Sequence, residues 1–147
     1  MIEDFWAEFV ATTGIDGPYE AWAFGDESSV DLATELALLV RDGPKRATAG
    51  LAAEYEVENE PLPEIGDLSV ILDGRGAPVC VIRTTLVEIR KFGDVDEAFA
   101  WDEGEGDRTL EWWRRAHLRF FQHRGIQVEQ ETLMVLERFE LLWPTPG

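Results

Sequence analysis

The chain has 147 residues, 45% of them hydrophobic, including six tryptophans and eight phenylalanines. That length suits one domain, since domains commonly run to roughly 100–150 residues, and so much apolar side chain excludes a chain disordered throughout. Thirteen basic against 30 acidic residues leave a net charge of −17, which excludes duplex DNA as a partner, because a duplex is held mainly by Lys and Arg neutralising phosphates.

Met1-Ile2-Glu3-Asp4 carries no basic leader pattern, so a cytoplasmic location is expected. Residues 2–12 read as a helix, with Ile2, Phe5, Trp6, Phe9 and Val10 on one stripe and Gly14 and Gly17-Pro18 beyond its end. Ser28, with Asp31 three residues on, opens a second helix whose inner face is Leu32, Leu36, Leu39 and Val40; Gly43-Pro44 stops it. Residues 43–51 read as a helix-to-strand connection and Glu60-Pro61-Leu62-Pro63 as a loop. Leu68–Leu72 and Ala77–Val87 are strands joined at Asp73-Gly74, a strong hairpin signal. Cys80, the single cysteine, lies in the apolar run of the second of them and reads as a core residue. Asp94 caps a short helix with Val95, Ala98 and Phe99 inside. Asp107 or Thr109 opens a longer one, with Leu110, Trp113, His117, Phe120 and Phe121 inward, Arg114 and Arg115 outward, and Gly125 at its end. Thr132–Trp143 is the last strand, and Pro144 and Pro146 follow it. No run nears the roughly 18 apolar residues that would cross a membrane, and no repeat or linker divides the chain. Helices in front, a central meander and a helix before the last strand predict an α+β fold with a closed or nearly closed sheet.

Three groups of residues have chemical potential. In Gly43-Pro44-Lys45-Arg46-Ala47-Thr48-Ala49-Gly50, a cation and a hydroxyl follow a helix stop and can hold an oxyanion, although the P-loop spacing is absent. In Trp101-Asp102-Glu103-Gly104-Glu105-Gly106-Asp107, four carboxylates share a glycine-broken segment. The calcium-loop order is not met, Asp107 suits a helix cap, and the expectation is one carboxylate aimed at a pocket with no metal. The pair His117 and His123 is spaced by six, which does not put two metal ligands on one helical face; His117 reads as an ordinary helix-face histidine. The basic groups Arg83, Arg90 and Lys91, and Arg114, Arg115, Arg119 and Arg124, read as solvated faces with local ion pairs.

The order of Gly43-Pro44-Lys45-Arg46-Ala47-Thr48, Gly66-Asp67, Leu72-Asp73-Gly74, Pro78 to Thr85, Glu103-Gly104-Glu105-Gly106-Asp107 with Thr109-Leu110-x-x-Trp113, and Glu137-Arg138-Phe139 resembles the ASCH domain family over residues 2–143. The resemblance implies a single domain over residues 1–147: a small PUA-like β-barrel with flanking helices, its core at about 28–143 and the helix 2–12 packed on it. It implies a site for a nucleoside-like ligand or single-stranded RNA, with no cofactor. One member is similar to a ribonuclease, so an RNA-cleaving domain and a non-catalytic interaction domain stand as alternatives. A short bacterial branch hydrolyses the acetyl amide of acetylcytidine with a Lys, a Thr three residues later and a distal Glu. By that pattern Lys45, Thr48 and Glu103 are the catalytic set, with Glu105 as the second choice of acid; Arg46, Glu105, Arg83 and Trp101 are the expected ligand contacts. This chain is longer than that branch, with an added N-terminal helix and a doubled acidic loop.

Elementary electrostatics leaves two roles for Lys45. To activate Thr48 its amine must be neutral, which desolvation favours and a nearby carboxylate opposes. Charged, it suits binding an oxyanion. The sequence predicts Lys45 in a concave site with Thr48 beside it, Glu103 facing it, and Glu105 at the rim.

Overall fold

The apolar stripe of residues 2–10 does what its spacing predicts. In the computed structural model, which describes residues 1–25 and 29–145, it forms α1 (Ile2–Thr13), buries Trp6 and Phe9 against Val70 and Val81, and ends at Gly14 in the left-handed conformation. The second helix, α2 (Val30–Asp42), is capped by Ser29, whose hydroxyl accepts from the Leu32 N–H at 3.3 Å; the expected cap, Ser28, lies outside the described residues. Leu36, Ala37 and Val40 pack it on Ile71, Cys80, Ile82 and Phe139.

Five strands make one mixed sheet: β1 (Tyr19–Trp22), β2 (Ala47–Leu51), β3 (Leu68–Leu72), β4 (Pro78–Lys91) and β5 (Leu133–Trp143), in the order β1-β3-β4-β5-β2. β1 runs parallel to β3; the other pairs are antiparallel. The Asp73 carboxylate fixes the β3–β4 turn by accepting from the Arg75 and Ala77 N–H groups. The long β4–β5 pair is interrupted between Val81 and Ile82 and between Thr84 and Leu86. Such irregularities bend a strand and increase its twist, which gives this sheet a concave face.

The sequence reading expects a barrel with a closed or nearly closed sheet, and the structure does not show the closure. The sheet keeps two edges, β1 and β2, because each pairs on one side only and no ladder joins them among the described residues. At four and five residues, both are short. A short helix, α3 (Ala52–Val57), follows β2.

After β4 a single 3-10 turn (Phe92–Asp94) leads to α4 (Glu97–Glu103). Its cap is Asp96, bonded to the Phe99 N–H, and not Asp94, which sits inside the turn. In α5 (Leu110–His123), Thr109 caps by accepting from the Trp112 N–H, while Asp107 accepts from the backbone and the hydroxyl of Thr109. Trp113 and Phe121 enter a core with Phe92, Phe99, Met134 and Leu136. Two expectations for this helix shift. Phe120 is only partly buried, and Arg114 is half-buried, donating to the Gly93 and Val95 carbonyls. No helix among the described residues is long and apolar enough to cross a membrane.

Candidate functional site

Lys45 stands between the stop of α2 and the start of β2, held by the backbone on both sides. Its N–H donates to the Leu39 carbonyl, and the N–H of Arg46 donates to the Asp102 carbonyl at 2.7 Å. The second contact ties the end of α4 to this segment. Gly104 makes it possible: it ends α4 with φ at 67°, and a Cβ there would lie 2.8 Å from the Lys45 backbone. Glycine alone adopts that conformation freely and leaves the room.

The Lys45 side chain is 0% exposed and Glu103 1%. Nζ donates to the Ala47 carbonyl at 2.8 Å, to Glu105 Oε2 at 2.7 Å and to Glu103 Oε1 at 3.3 Å. An ammonium has three donors, and all three are engaged. The other Glu103 oxygen accepts from the Trp113 indole N–H and faces His117 Nε2 at 3.4 Å. His117 Nδ1 donates to the Trp113 carbonyl at 2.8 Å, and its ring stacks on that indole with centroids 4.0 Å apart. With Nδ1 carrying a proton, a neutral ring would turn an Nε2 lone pair toward a carboxylate. The geometry therefore favours the imidazolium.

Two cations and two carboxylates thus close on one another, and their titration follows. Burial alone would lower Lys45, but Glu103 and Glu105 outweigh it and hold the amine above its ordinary value. Burial likewise opposes charge on His117, and Glu103 overcomes it and raises the imidazole. Burial pushes Glu103 up, while His117 and Lys45 pull it well below the usual carboxylate range. Glu105 differs. Although it pairs with Lys45, its burial and the charge of Glu103 win, and its carboxyl is pushed up to about 6.

This cluster forms the inner end of a cavity of about 350 Å³. Phe24, Leu36, Trp112 and Phe120 supply apolar wall, Thr48 lines one side, and Arg119 and His123 belong to the same lining. A wider groove of about 1110 Å³ lies across the concave face of the sheet and shares Phe24, Gly25, Thr48 and Ala49 with the cavity, so Thr48 stands at their junction. Among the described residues no group of three or more His, Cys, Asp or Glu is placed to hold a metal ion.

The structure thus brings together Lys45, Thr48, Glu103 and Glu105. Glu105 is not at the rim, as the sequence reading had it, but against Nζ, nearer than Glu103. The other expected contacts lie apart. Arg46 donates to the Val40 and Lys45 carbonyls, Arg83 pairs with Glu140 at 2.6 Å across the sheet, and Trp101 is 56% exposed beneath the Arg108 guanidinium. None of the three lines either cavity. Sequence reasoning passed over His117 and Trp113 as site residues. The available signal was a polar ring one helical turn from an indole on the apolar face of α5.

Of the basic group on α5, Arg114 is spent on backbone carbonyls, Arg115 lies 3.9 Å from Glu111, and Arg124 pairs with Glu54 at 3.0 Å. Arg119 has no partner among the described residues.

Comparison with known proteins agrees with this picture. The sequence pattern described as the ASCH domain matches residues 20–143. The crystal structure of protein EF3133 from Enterococcus faecalis V583, of the family DUF984, is similar at 36% identity and a TM-score of 0.81, covering 96% of this chain and 89% of that one. The high-resolution crystal structure of the ASCH domain from Lactobacillus crispatus JV V101 is similar at 31% identity and a TM-score of 0.81, covering 95% and 92%. No curated protein matches. With the family pattern spanning most of its length, the chain belongs to the ASCH domain family.

Proposed function

We propose that the chain binds a flat, nucleobase-sized ligand, as a nucleoside or an exposed base of RNA, in the Lys45 cavity, and that Thr48 hydrolyses an acyl amide which that ligand carries. The observation behind this reading is the pairing of an aromatic-walled cavity of about 350 Å³ with a buried charge cluster at its inner end. Ligand pockets of this size are mostly apolar with a few placed polar groups. The balanced cluster and the net charge of −17 favour a small ligand over a long polyanion. The dispersed engagements of Arg114, Arg115 and Arg124 add to that preference.

Lys45, a cation with every donor engaged, is a poor base for Thr48. Glu105, ionised above about pH 6 and lining the same cavity, is the better one. In this reading Thr48 Oγ attacks the amide carbonyl carbon while its proton passes to Glu105. The carbonyl π pair moves to oxygen, where the Lys45 ammonium offsets the charge by exchanging one of its hydrogen bonds. Collapse restores the carbonyl and breaks the C–N bond, and the leaving amine takes the proton from Glu105. A water then gives a proton to Glu105 and attacks the ester carbonyl carbon; collapse breaks the bond to Thr48 Oγ, which takes the proton back from Glu105, and acetate leaves.

The test is release of acetate and cytidine from acetylcytidine. The expected result is turnover with an acid limb near pH 6. Glu105→Gln should lower kcat about 10²–10⁴-fold, the usual share of a general base, and Thr48→Ala should abolish burst and turnover. Turnover unchanged in Thr48→Ala would overturn the nucleophile. Absence of both turnover and thermal stabilisation by cytidine derivatives would overturn the ligand class.

A further inference from the structure

The groove on the concave face has a chemistry of its own. Its floor is built from the middle of the sheet: Ser69 of β3, Thr84 of β4 and Glu137 of β5, with Thr48 of β2 opposite Glu137 in register. Ser69 and Glu137 are 6% and 7% exposed. The Thr84 hydroxyl donates to Glu137 Oε2 at 2.7 Å. Glu137 Oε1 and the Ser69 hydroxyl have no partner among the described residues, although both side chains line the groove. Both side chains are more than nine-tenths buried, and neither of these oxygens is sealed from the groove, so both are open to pair with a molecule held there. An oxygen of a carboxylate asks that ligand for a donor.

The walls narrow the class. Glu20, Glu58, Glu60 and Asp67 add negative charge around the floor. Arg124 is the one Lys or Arg among the described lining residues, and it is paired with Glu54. A cleft lined with one sign of charge focuses its field and concentrates the opposite ion. Trp22 and Tyr55 bring aromatic rings to the same space, and ring faces attract cations.

We propose that this groove is a second binding site, for an organic cation whose N–H groups, on an amidinium or primary ammonium, meet Glu137 and Ser69. A planar amidinium suits it best, since it places two parallel N–H donors against one carboxylate. The site is independent of the acyl-amide chemistry proposed for Thr48, although the two cavities meet at that residue.

Benzamidine and its neutral counterpart benzamide separate charge from shape. Calorimetric titration, with amide shift mapping in solution NMR, should show benzamidine bound and shifts at Ser69, Val135 and Glu137, with benzamide at least about ten-fold weaker, a difference of about 1.4 kcal/mol. Glu137→Gln, which still offers Thr84 an oxygen acceptor, should weaken benzamidine at least about ten-fold. Ser69→Ala should weaken it by a smaller factor and keeps the test open should the first variant not fold. Equal binding of benzamide, or unchanged benzamidine affinity in both variants, would overturn the site. So would millimolar benzamidine leaving the floor amides unshifted, which would mean that water alone pairs the two groups. Benzamidine carries no acyl amide, so failure of acetylcytidine turnover does not bear on this readout.

Discussion

The Lys45 cavity and the sheet groove meet at Thr48, yet they handle buried carboxylate in opposite ways. Glu103 has the Trp113 indole, Lys45 and His117 around it, and its ionised form is favoured. Glu137 accepts from one hydroxyl, that of Thr84, and burial with the charge of Asp67 raises its carboxyl above the ordinary value. The comparison teaches that burial does not fix what a carboxylate does for the fold. Removing one partner of a compensated buried pair leaves a bare charge, which is costly. Removing a charge that is offset by a single hydroxyl relieves a penalty.

The sharpest way to break this contrast is one substitution at each site. Glu103→Gln should cost about 3–5 kcal/mol in a denaturant melt, because buried Lys45 would lose one of its two carboxylates and His117 the carboxylate that holds its proton. Glu137→Gln at neutral pH should be neutral or slightly stabilising, since it keeps an acceptor for Thr84 and removes a disfavoured charge. Equal losses at both positions would show that the two environments are alike.

A smaller effect sharpens the same point through pH. Glu105 has its folded carboxyl raised to about 6 from an ordinary 4.5, so the native state binds the extra proton and gains stability as pH falls through that window. Glu137, also raised, acts in the same direction. His117 is raised, so its contribution is complete below its ordinary value of 6.5 and is lost as pH rises through its folded value. Glu103 is lowered, so its contribution holds above 4.5 and is lost as pH falls toward its folded value. The signs together place maximal stability near pH 4.5, where Glu105 has taken its proton and Glu103 has kept its charge, with a higher melting temperature there than at pH 8. A maximum at or above pH 8 would contradict the assignment of charges.

Much of this was legible in the sequence because it is local. The stripe of α1, the inner face of α2, the Asp73-Gly74 turn and the strand at the C-terminus all follow from spacing and turn chemistry. The edge strands were not. Ala47-Thr48-Ala49-Gly50-Leu51 is made largely of small residues with little β preference, and it becomes β2 through pairing with β5, almost ninety residues away in the chain. β1 is four residues long and joins β3 in parallel, a pairing with no local signature. Closure of the sheet was not legible for the same reason, since it depends on whether those two short edges reach each other. In the site, Lys45, Thr48 and the acidic segment were visible as a pattern and a resemblance. The roles of Glu105 and His117 were not, because both depend on which side of Nζ and of Glu103 the chain finally places them.

The central claim is that Lys45 is a permanently charged anchor and not a neutral base. Nitrogen-detected NMR of its Nζ across about pH 6–9 tests this directly. The account predicts a slowly exchanging ammonium signal with no titration in that range, held by Ala47, Glu103 and Glu105. A titration with its midpoint near pH 7 would contradict it and return Lys45 to the role of base for Thr48.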